Sequence, residues 1–156
     1  MKFEQLKLEN QLCFPVYAAS RLIIREYQPY LEKLDVTYPQ YLVLMVLWEK
    51  GRLSVNDISQ KLILNTNTVT PLLKRMESQG FIKRQRSDSD ERKVMVELTK
   101  KGKQMQAEAA SIPGQLASGL ISEGMQIEDL VDLKDKLQIL IRYLMEKKQT
   151  EGKTEG

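Results

Sequence analysis

The fold of this 156-residue chain is decided by residues 54–80, which read SVNDISQKLILNTNTVTPLLKRMESQG. Ser54 has the side chain of a helix N-cap and Asp57 follows three residues later, so a short helix is predicted from Ser54 to Leu62. A second helix follows almost at once, with a cap at residues 65–67, and ends at Gly80. Two helices this close together predict a helix-turn-helix.

The second helix of the pair has a polar face opposite its apolar residues. Small hydroxyl and amide side chains at its start would let the helix approach phosphates and base edges closely, and two basic side chains follow them. A solvated surface helix explains the same face, so this helix alone leaves DNA binding open. The predicted core positions are Val69, Leu72, Leu73 and Met76, and the candidate DNA contacts are Asn67, Thr68, Thr70, Lys74 and Arg75.

A β-hairpin is predicted directly after Gly80. Residues 81–86 and 93–98 have strand-like patterns, and the residues between them are all polar. Asp90 is expected to brace Arg92 by a charge-assisted hydrogen bond, so that the guanidinium enters the narrow, negative minor groove. An ordinary charged turn is the alternative. The candidate DNA contacts of the hairpin are Arg84, Arg86, Asp90 and Arg92.

Long helices are predicted on both sides of this central part. Apolar residues recur at steps of three and four from Leu12 to Leu34, and Pro15 fits only a first turn, so the first helix should begin just after Cys13. An almost wholly apolar helix from about 38 to 49 belongs in the core. The last helix, about 127–147, carries leucines at coiled-coil spacing.

Two weaker expectations concern the last third of the chain. Thr99 should cap a helix that runs to about Ala110, and prolines and glycines from Pro113 to Gly124 are expected to loosen the segment that follows. The polar tail, residues 148–156, is predicted to be disordered. The whole chain has the length of one ordinary domain.

The composition excludes several classes of site. With one cysteine and no histidine, the chain lacks an internal disulfide, a Cys/His zinc cluster and the usual histidine-based catalytic arrangements, so neither a metal nor a cofactor is predicted and the protein is not expected to be an enzyme. No apolar run approaches the ~18–20 residues of a membrane span, and the start lacks a secretion signal. We therefore expect a cytoplasmic protein with no membrane partner.

The positive charge is concentrated in the middle of the chain. The net charge is only +3, but residues 52–93 carry nine basic and five acidic side chains, whereas the two flanking segments are close to neutral. A basic centre between neutral segments is typical of a DNA-reading element, although a solvated surface explains it almost as well.

The central motifs resemble the MarR family of winged helix-turn-helix repressors over nearly the whole chain. The matching motifs are residues 62–77, Gly80-Phe81-Ile82, Asp90-Glu91-Arg92 and Leu98-Thr99-Lys100-Lys101-Gly102. Residues 8–14 and 37–42 are similar to the one-cysteine, OhrR-like branch, the organic hydroperoxide sensors. This branch commonly has an acidic residue and a glycine where this chain has Asn65 and Asn67, which leaves the operator sequence open.

The resemblance implies a mainly α fold with a small β-hairpin wing. It implies a single domain over 1–156, with dimerisation helices at about 1–36 and 103–147 and the winged helix-turn-helix at about 37–102. The partners it implies are a second copy of the chain and a double-stranded, pseudo-palindromic DNA operator. Recognition helices would lie in successive major grooves, and wing arginines in the flanking minor groove.

Cys13 is the candidate redox residue. A lone cysteine is more often an inert, buried side chain. Here it lies at the predicted start of a helix, where the partial positive charge favours a thiolate, and a peroxide attacks a thiolate to give a sulfenic acid first. The resemblance carries Cys13 over as the peroxide-reactive residue, with Tyr27 and Tyr38 as its hydrogen-bond partners. Tyr17, one turn after Cys13, is a weaker candidate whose alternative is plain core packing.

Helix geometry makes the assignment of Tyr27 testable. Fourteen residues of straight helix separate Cys13 from Tyr27 by about 21 Å, so the two side chains can meet only across a dimer. With no second cysteine, the sulfenic acid is predicted to react with a low-molecular-weight thiol or to be oxidised further, after which DNA is released.

Three other functions remain open from the sequence. The chain would also suit a MarR-type repressor gated by a phenolic or other small ligand in the cleft between the dimer helices. It would equally suit a redox regulator with a broader regulon than peroxide detoxification. A thiol peroxidase is disfavoured, because Cys13 is followed by apolar residues and the chain has no histidine.

Overall fold

The computed structural model describes residues 2–154, and the chain divides into two compact units. Unit 1, Met1–Ile112, starts with 3-10 turns at Glu4–Leu6 and Leu8–Asn10. Its further elements are α1 (Cys13–Lys33), α2 (Tyr38–Lys50), β1 (Leu53–Ser54), α3 (Val55–Leu62), α4 (Thr66–Ser78), β2 (Ile82–Arg86), β3 (Val94–Leu98) and α5 (Lys100–Ala109). Unit 2, Pro113–Gly156, holds most of α6 (Ile112–Leu120) and α7 (Ile127–Thr154).

The predicted helix-turn-helix is confirmed, together with the caps that create it. Ser54 and Asp57 form a capping box, in which the Ser54 hydroxyl accepts from the backbone of Asp57 and the carboxylate accepts from the backbone of Ser54. Asn65 caps α4 by accepting from the backbone N–H of Asn67 at 2.8 Å. The turn between α3 and α4 places Ile63 in the left-handed region, with φ at +55°.

The predicted hairpin is part of a three-stranded antiparallel sheet with the order β1-β3-β2. β2 and β3 pair along their whole length, with Arg84 opposite Val96 and Arg86 opposite Val94. The sequence analysis missed β1, because two residues are too few for a pattern and their partner, β3, lies some forty residues further along the chain. The fold is therefore mainly α with a small β wing, as predicted.

The hydrophobic core of unit 1 lies between α2, α3, α4 and the sheet. Tyr41, Leu44 and Leu47 on α2 are buried against the apolar face of α4 and against Phe81 and Ile82 at the start of the wing. The four apolar residues predicted for α4 are all in this core. Helix propensity alone does not stabilise helices this short, so their packing holds the helix-turn-helix together.

The Leu-Thr-Lys-Lys-Gly motif, residues 98–102, connects the start of α5 to the wing and to α2 by hydrogen bonds. The Thr99 hydroxyl accepts from the backbone of Gly102 and donates to the backbone carbonyl of Gly80 at 2.6 Å. Trp48 donates its indole N–H to the carbonyl of Gly102 at 2.9 Å. A Cβ at Gly102 would lie 2.2 Å from the Phe81 carbonyl oxygen, so only glycine fits at this position.

The larger differences from the predicted helices concern α1, α6 and α7. α1 begins at Cys13 itself, with Leu12 as its N-cap residue, rather than just after Cys13. The segment expected to be loose contains α6, because Pro113 lies in the first turn, where a helix tolerates a missing N–H. The predicted disordered tail is helical to Thr154, since its Glu, Lys and Gln residues favour a helix. Glu155 and Gly156 lie outside the described residues.

Two general properties bear on function. In the range 2–154, no helix combines the length and the apolar character that a membrane crossing requires. Over the same residues, His, Cys, Asp and Glu side chains do not gather into a group able to hold a metal ion.

Candidate functional site

The predicted DNA-facing side of α4 is accessible. Asn67, Thr68, Lys74 and Arg75 are exposed, and Thr70 is half-buried. The cap formed by Asn65 uses its own side chain and the backbone N–H of Asn67, so the side chain of Asn67 remains available to a partner. α4 therefore presents small polar groups at its N-terminal end and positive charge further along, in line with the sequence analysis.

Arg84 holds the wing to α4 and is half-buried. Its guanidinium donates to Glu77 Oε1 at 3.0 Å and its backbone N–H donates to Glu77 Oε2 at 2.9 Å, so one carboxylate binds two groups of the same residue. The side-chain hydrogen bond that Arg84 donates lowers the pKa of Glu77, and the positive charge of Arg84 lowers it further. We name this pair the helix–wing clamp. It links α4 to β2, and it engages the guanidinium that the sequence analysis assigned to DNA.

The wing tip is braced differently from the prediction. Asp90 Oδ1 accepts from the backbone N–H of Arg92 at 3.0 Å, rather than from the Arg92 guanidinium. The backbone bond forms because the two residues are only two positions apart in a tight turn, where a short carboxylate side chain reaches the backbone more readily than a long guanidinium. Arg86 donates its guanidinium to the carbonyl of Glu91 at 3.2 Å. The tip is thus ordered through its backbone, and Arg92 is exposed.

Tyr27 and Tyr38, the predicted partners of Cys13, lie against each other. Their ring centroids are 5.0 Å apart, and Tyr41 joins them at 5.9 Å from Tyr27 and 6.5 Å from Tyr38. We call these three residues the tyrosine cluster. It connects the second half of α1 to the first turn of α2, and Tyr41 continues it to Trp48 at 6.3 Å.

The tyrosine cluster keeps its phenols protonated. Burial, with smaller contributions from Tyr38 and Tyr41, raises the pKa of Tyr27 to about 12. Burial also raises the pKa of Tyr38, and burial together with Tyr38 raises that of Tyr41. A neutral phenol donates a hydrogen bond, so at neutral pH the half-buried Tyr27 and Tyr38 offer donors to an anion such as a thiolate, whereas Tyr41 is buried.

Cys13 lies far from the tyrosine cluster of its own chain. It is the first residue of α1 and is exposed, and the helix that separates it from Tyr27 is continuous. Fourteen residues of α-helix correspond to about 21 Å. Tyr17 is also exposed and packs its ring against the Arg21 guanidinium at 4.6 Å, so it is outside the tyrosine cluster.

Sequence reasoning missed three contributors to these sites. Tyr41 was assigned only to an apolar helix, although its spacing of three from Tyr38 places both on one helix face. Glu77 was overlooked because its partner lies across the turn at Gly80. Gln40 was read only as part of a motif, whereas its buried amide bonds to Gln79, the residue that follows the end of α4.

Comparisons with known proteins agree with this architecture. The family model described as transcriptional regulator SarA/Rot matches residues 25–109. An organic hydroperoxide resistance transcriptional regulator of Bacillus subtilis is 47% identical over 146 residues, 94% of this chain and 97% of the relative. The HTH-type transcriptional regulator MgrA of Staphylococcus aureus is 38% identical over 135 residues, 86% of this chain and 92% of the relative.

Solved structures of regulators have the same fold. The crystal structure of AbfR of Staphylococcus epidermidis matches with a TM-score of 0.73 and 37% identity, over 94% of this chain and 99% of that chain. Reduced AbfR bound to DNA matches with a TM-score of 0.75 and 36% identity, over 93% and 99% of the two chains. The chain therefore belongs to the SarA/Rot and MarR-like family of winged helix-turn-helix transcriptional regulators, as the resemblance of its motifs implied.

Proposed function

We propose that this regulator is a homodimeric repressor that senses organic hydroperoxides through Cys13 and then releases its operator. The observation that carries the proposal is the tyrosine cluster, a group of neutral phenol donors placed about 21 Å along α1 from the only cysteine. A donor cluster at that distance serves Cys13 only if a second copy of the chain brings its own Cys13 to it.

The dimer is supported by the apolar surface of the elements that would form it. Leu12, Val16 and Leu22 on or beside the first half of α1 are exposed. On α7, Leu133, Leu140 and Leu144 of the predicted seam are also exposed. Exposed apolar side chains on helices mark a protein–protein interface, and identical surfaces on two copies suit a two-fold dimer.

The chemistry needs a peroxide and no cofactor. The Cys13 thiolate sulfur attacks the terminal oxygen of ROOH, an S–O bond forms, the O–O bond breaks, and the alkoxide takes a proton to leave as the alcohol ROH. The partner's phenols would donate hydrogen bonds to the thiolate and to the developing alkoxide. A low-molecular-weight thiol then condenses with the sulfenic acid to give a mixed disulfide and water. Sulfur oxidation is stoichiometric, so the protein acts as a switch rather than an enzyme.

DNA binding would use α4 and the wing. The exposed polar face of α4 suits the major groove, and Arg86 and Arg92 at the ordered wing tip suit the minor groove. Arg84 would act indirectly, because its guanidinium is held by Glu77. A DNA-binding switch of this kind works where the chromosome is, so we place the protein in the bacterial cytoplasm.

An operator-shift assay on the wild type and Cys13→Ser tests the trigger. Both proteins are treated with cumene hydroperoxide in the presence of a small thiol, and intact mass records the state of Cys13. The wild type should lose operator binding as it gains the thiol adduct or oxygen, whereas Cys13→Ser should stay bound. Release of DNA by Cys13→Ser would contradict the proposal and favour a ligand-gated repressor.

Mixed dimers test the cross-subunit site. Cys13→Ser subunits are combined with subunits that carry Tyr27→Phe and Tyr38→Phe. If the site spans two subunits, the mixed dimer contains one complete site, and its Cys13 should be oxidised at nearly the wild-type rate. If Cys13 in the mixed dimer reacts as slowly as in the tyrosine-variant homodimer, the site does not cross the interface. Tyr17→Phe is the matched control and should leave the rate unchanged.

A further inference from the structure

Two glutamine side chains join the first turn of α2 to the end of α4. Gln40 Nε2 donates to Gln79 Oε1 at 2.8 Å, across 39 residues of sequence. Gln40 Oε1 accepts from the backbone N–H of Thr37 at 3.0 Å and so completes the capping box of α2. We call the Gln40–Gln79 pair the amide bridge. Both functional atoms of the Gln40 amide are engaged, and the residue is only 4% exposed.

The amide bridge begins in the same helical turn as the tyrosine cluster. Gln40 lies between Tyr38 and Tyr41 in the sequence, and all three belong to the first turn of α2. A turn with its capping box intact moves as a unit, because its backbone groups are bonded to one another. A displacement of Tyr38 therefore displaces Gln40.

The other end of the bridge is the C-cap residue of α4. Gln79 follows Ser78 directly, and its backbone N–H bonds to the carbonyl of Arg75. Its side chain also donates to the carbonyl of Asp35 in the α1–α2 corner, and its own carbonyl accepts from Lys101. The bridge borders an open cleft of about 710 Å³ whose lining includes Lys74 and Arg75.

We infer that Gln40 and Gln79 are positioning residues that couple the tyrosine cluster to the orientation of α4. The bridge has a strict geometry at its Gln40 end, because Gln40 is buried whereas Gln79 is half-buried, and a polar group left without its partner inside the protein is costly. When the first turn of α2 moves, α4 follows or the bridge breaks. The role of this coupling in the peroxide response rests on the proposed function, but the coupling itself does not.

A double-mutant cycle on operator affinity tests the coupling without peroxide. Tyr38→Leu perturbs the cluster, and Gln79→Leu removes the bridge while leaving the capping box of α2 intact. Tyr38→Leu should change the operator Kd about fivefold or more when Gln79 is present, and less than about twofold in the Gln79→Leu background. Gln104→Leu, an exposed glutamine on α5, is the matched control and should show no such coupling.

The cycle separates a coupling role from a structural one. If Gln79 has only a structural role, Gln79→Leu should change the operator Kd by the same factor whether residue 38 is Tyr or Leu. Tyr38→Leu would then have the same effect in both Gln79 backgrounds, and this result would overturn the inference. Should Tyr38→Leu fail to fold, Tyr27→Leu perturbs the same cluster and enters the same cycle. Coupling in a protein whose wild type ignores peroxide would support the bridge and contradict the proposed function.

Discussion

The winged body, from α2 to β3, differs from the first half of α1 in the exposure of its apolar side chains. In the winged body the large apolar side chains of α2, α4 and the wing are buried or partly buried, and the N-terminal ends of the helices are capped by side chains. In the first half of α1, Phe14, Val16 and Leu22 are exposed, and Leu12 beside it is 73% exposed. A single chain thus forms the core of the winged body, which suits DNA, but leaves the apolar side chains of the first half of α1, which carries Cys13, exposed.

This difference separates two requirements of a redox regulator. The DNA-reading surface has to keep its shape whatever happens at the cysteine, so it is built from local caps and a closed core. The cysteine has to be reached by a peroxide and to report its oxidation, which favours an interface over a core. The tyrosine cluster lies between these two parts in the sequence, on the second half of α1 and the first turn of α2.

Gly102→Ala should have the largest effect, because it disturbs the winged body from inside. The new methyl group would lie 2.2 Å from the Phe81 carbonyl oxygen, and backbone at that position cannot yield as a side chain can. We expect a loss of about 2–4 kcal/mol in the free energy of unfolding, measured by urea denaturation. Gly114→Ala is the matched control, since its new methyl group meets open space and should leave the stability unchanged or slightly higher. Equal losses of stability for Gly102→Ala and Gly114→Ala would show that the contact between Gly102 and the Phe81 carbonyl is not tight.

Leu22→Lys should break the proposed dimer and spare the winged body. A charged side chain in an apolar interface is costly, so we expect the dimer dissociation constant to rise at least tenfold, or about 1.4 kcal/mol, in sedimentation measurements. Ile63→Lys is the matched control, because Ile63 is 51% exposed and Leu22 54%, but Ile63 lies in the turn between α3 and α4. If the dimers of both variants dissociate, or if neither dimer does, the result would contradict a specific role of Leu22 on α1 in the dimer interface.

Glu77→Gln should separate DNA reading from stability. The helix–wing clamp is only partly buried, so its loss should cost less than about 1 kcal/mol of stability. The freed wing should nevertheless weaken operator binding about three- to tenfold in a shift assay, because the two reading elements lose their fixed angle. The control Glu49→Gln removes an exposed pair with Lys50 and should leave the operator Kd unchanged.

The clamp also predicts a dependence on acid. Arg84 lowers the pKa of Glu77, so the stabilisation is present above the ordinary pKa of a glutamate and is lost as the pH falls through the lowered value. Operator binding by Glu77→Gln should therefore vary less with pH in that acidic range than binding by the wild type. Equal pH profiles would show that the clamp does not set the wing angle.

The sequence predicted what neighbouring residues determine. The caps at Ser54 and Thr99 and the apolar spacing of α4 are local, and the helices they predict are present. β1 was missed because a two-residue strand exists only through its pairing with β3. α6 was missed because Pro113 was counted as a helix breaker, although its position in the first turn is permissive.

The candidate sites were predictable to a lesser degree. Tyr27 and Tyr38 came from the resemblance, and their contact depends on how α1 packs on α2, which no local pattern contains. The assignment of Arg84 to DNA ignored Glu77, whose carboxylate arrives from another element. The brace at Asp90 was assigned to the right residue pair but to the wrong group of Arg92, because side-chain composition does not distinguish a backbone N–H from a guanidinium.

Tyr27→Phe should have the smallest effect at neutral pH, and it shows to which region the tyrosine cluster belongs. Tyr27 keeps its proton to about pH 12 in the folded chain, above the ordinary value of 10.0. The unfolded chain loses that proton first, so stability falls as the pH rises between these two values, and Tyr27→Phe should make the fall shallower. In an ultraviolet titration of the phenols, the variant should lose the highest step, whereas the exposed Tyr143→Phe should retain it. If this step also survives in Leu22→Lys while Cys13 oxidation slows, the tyrosine cluster forms within one chain and only the cysteine depends on the second copy.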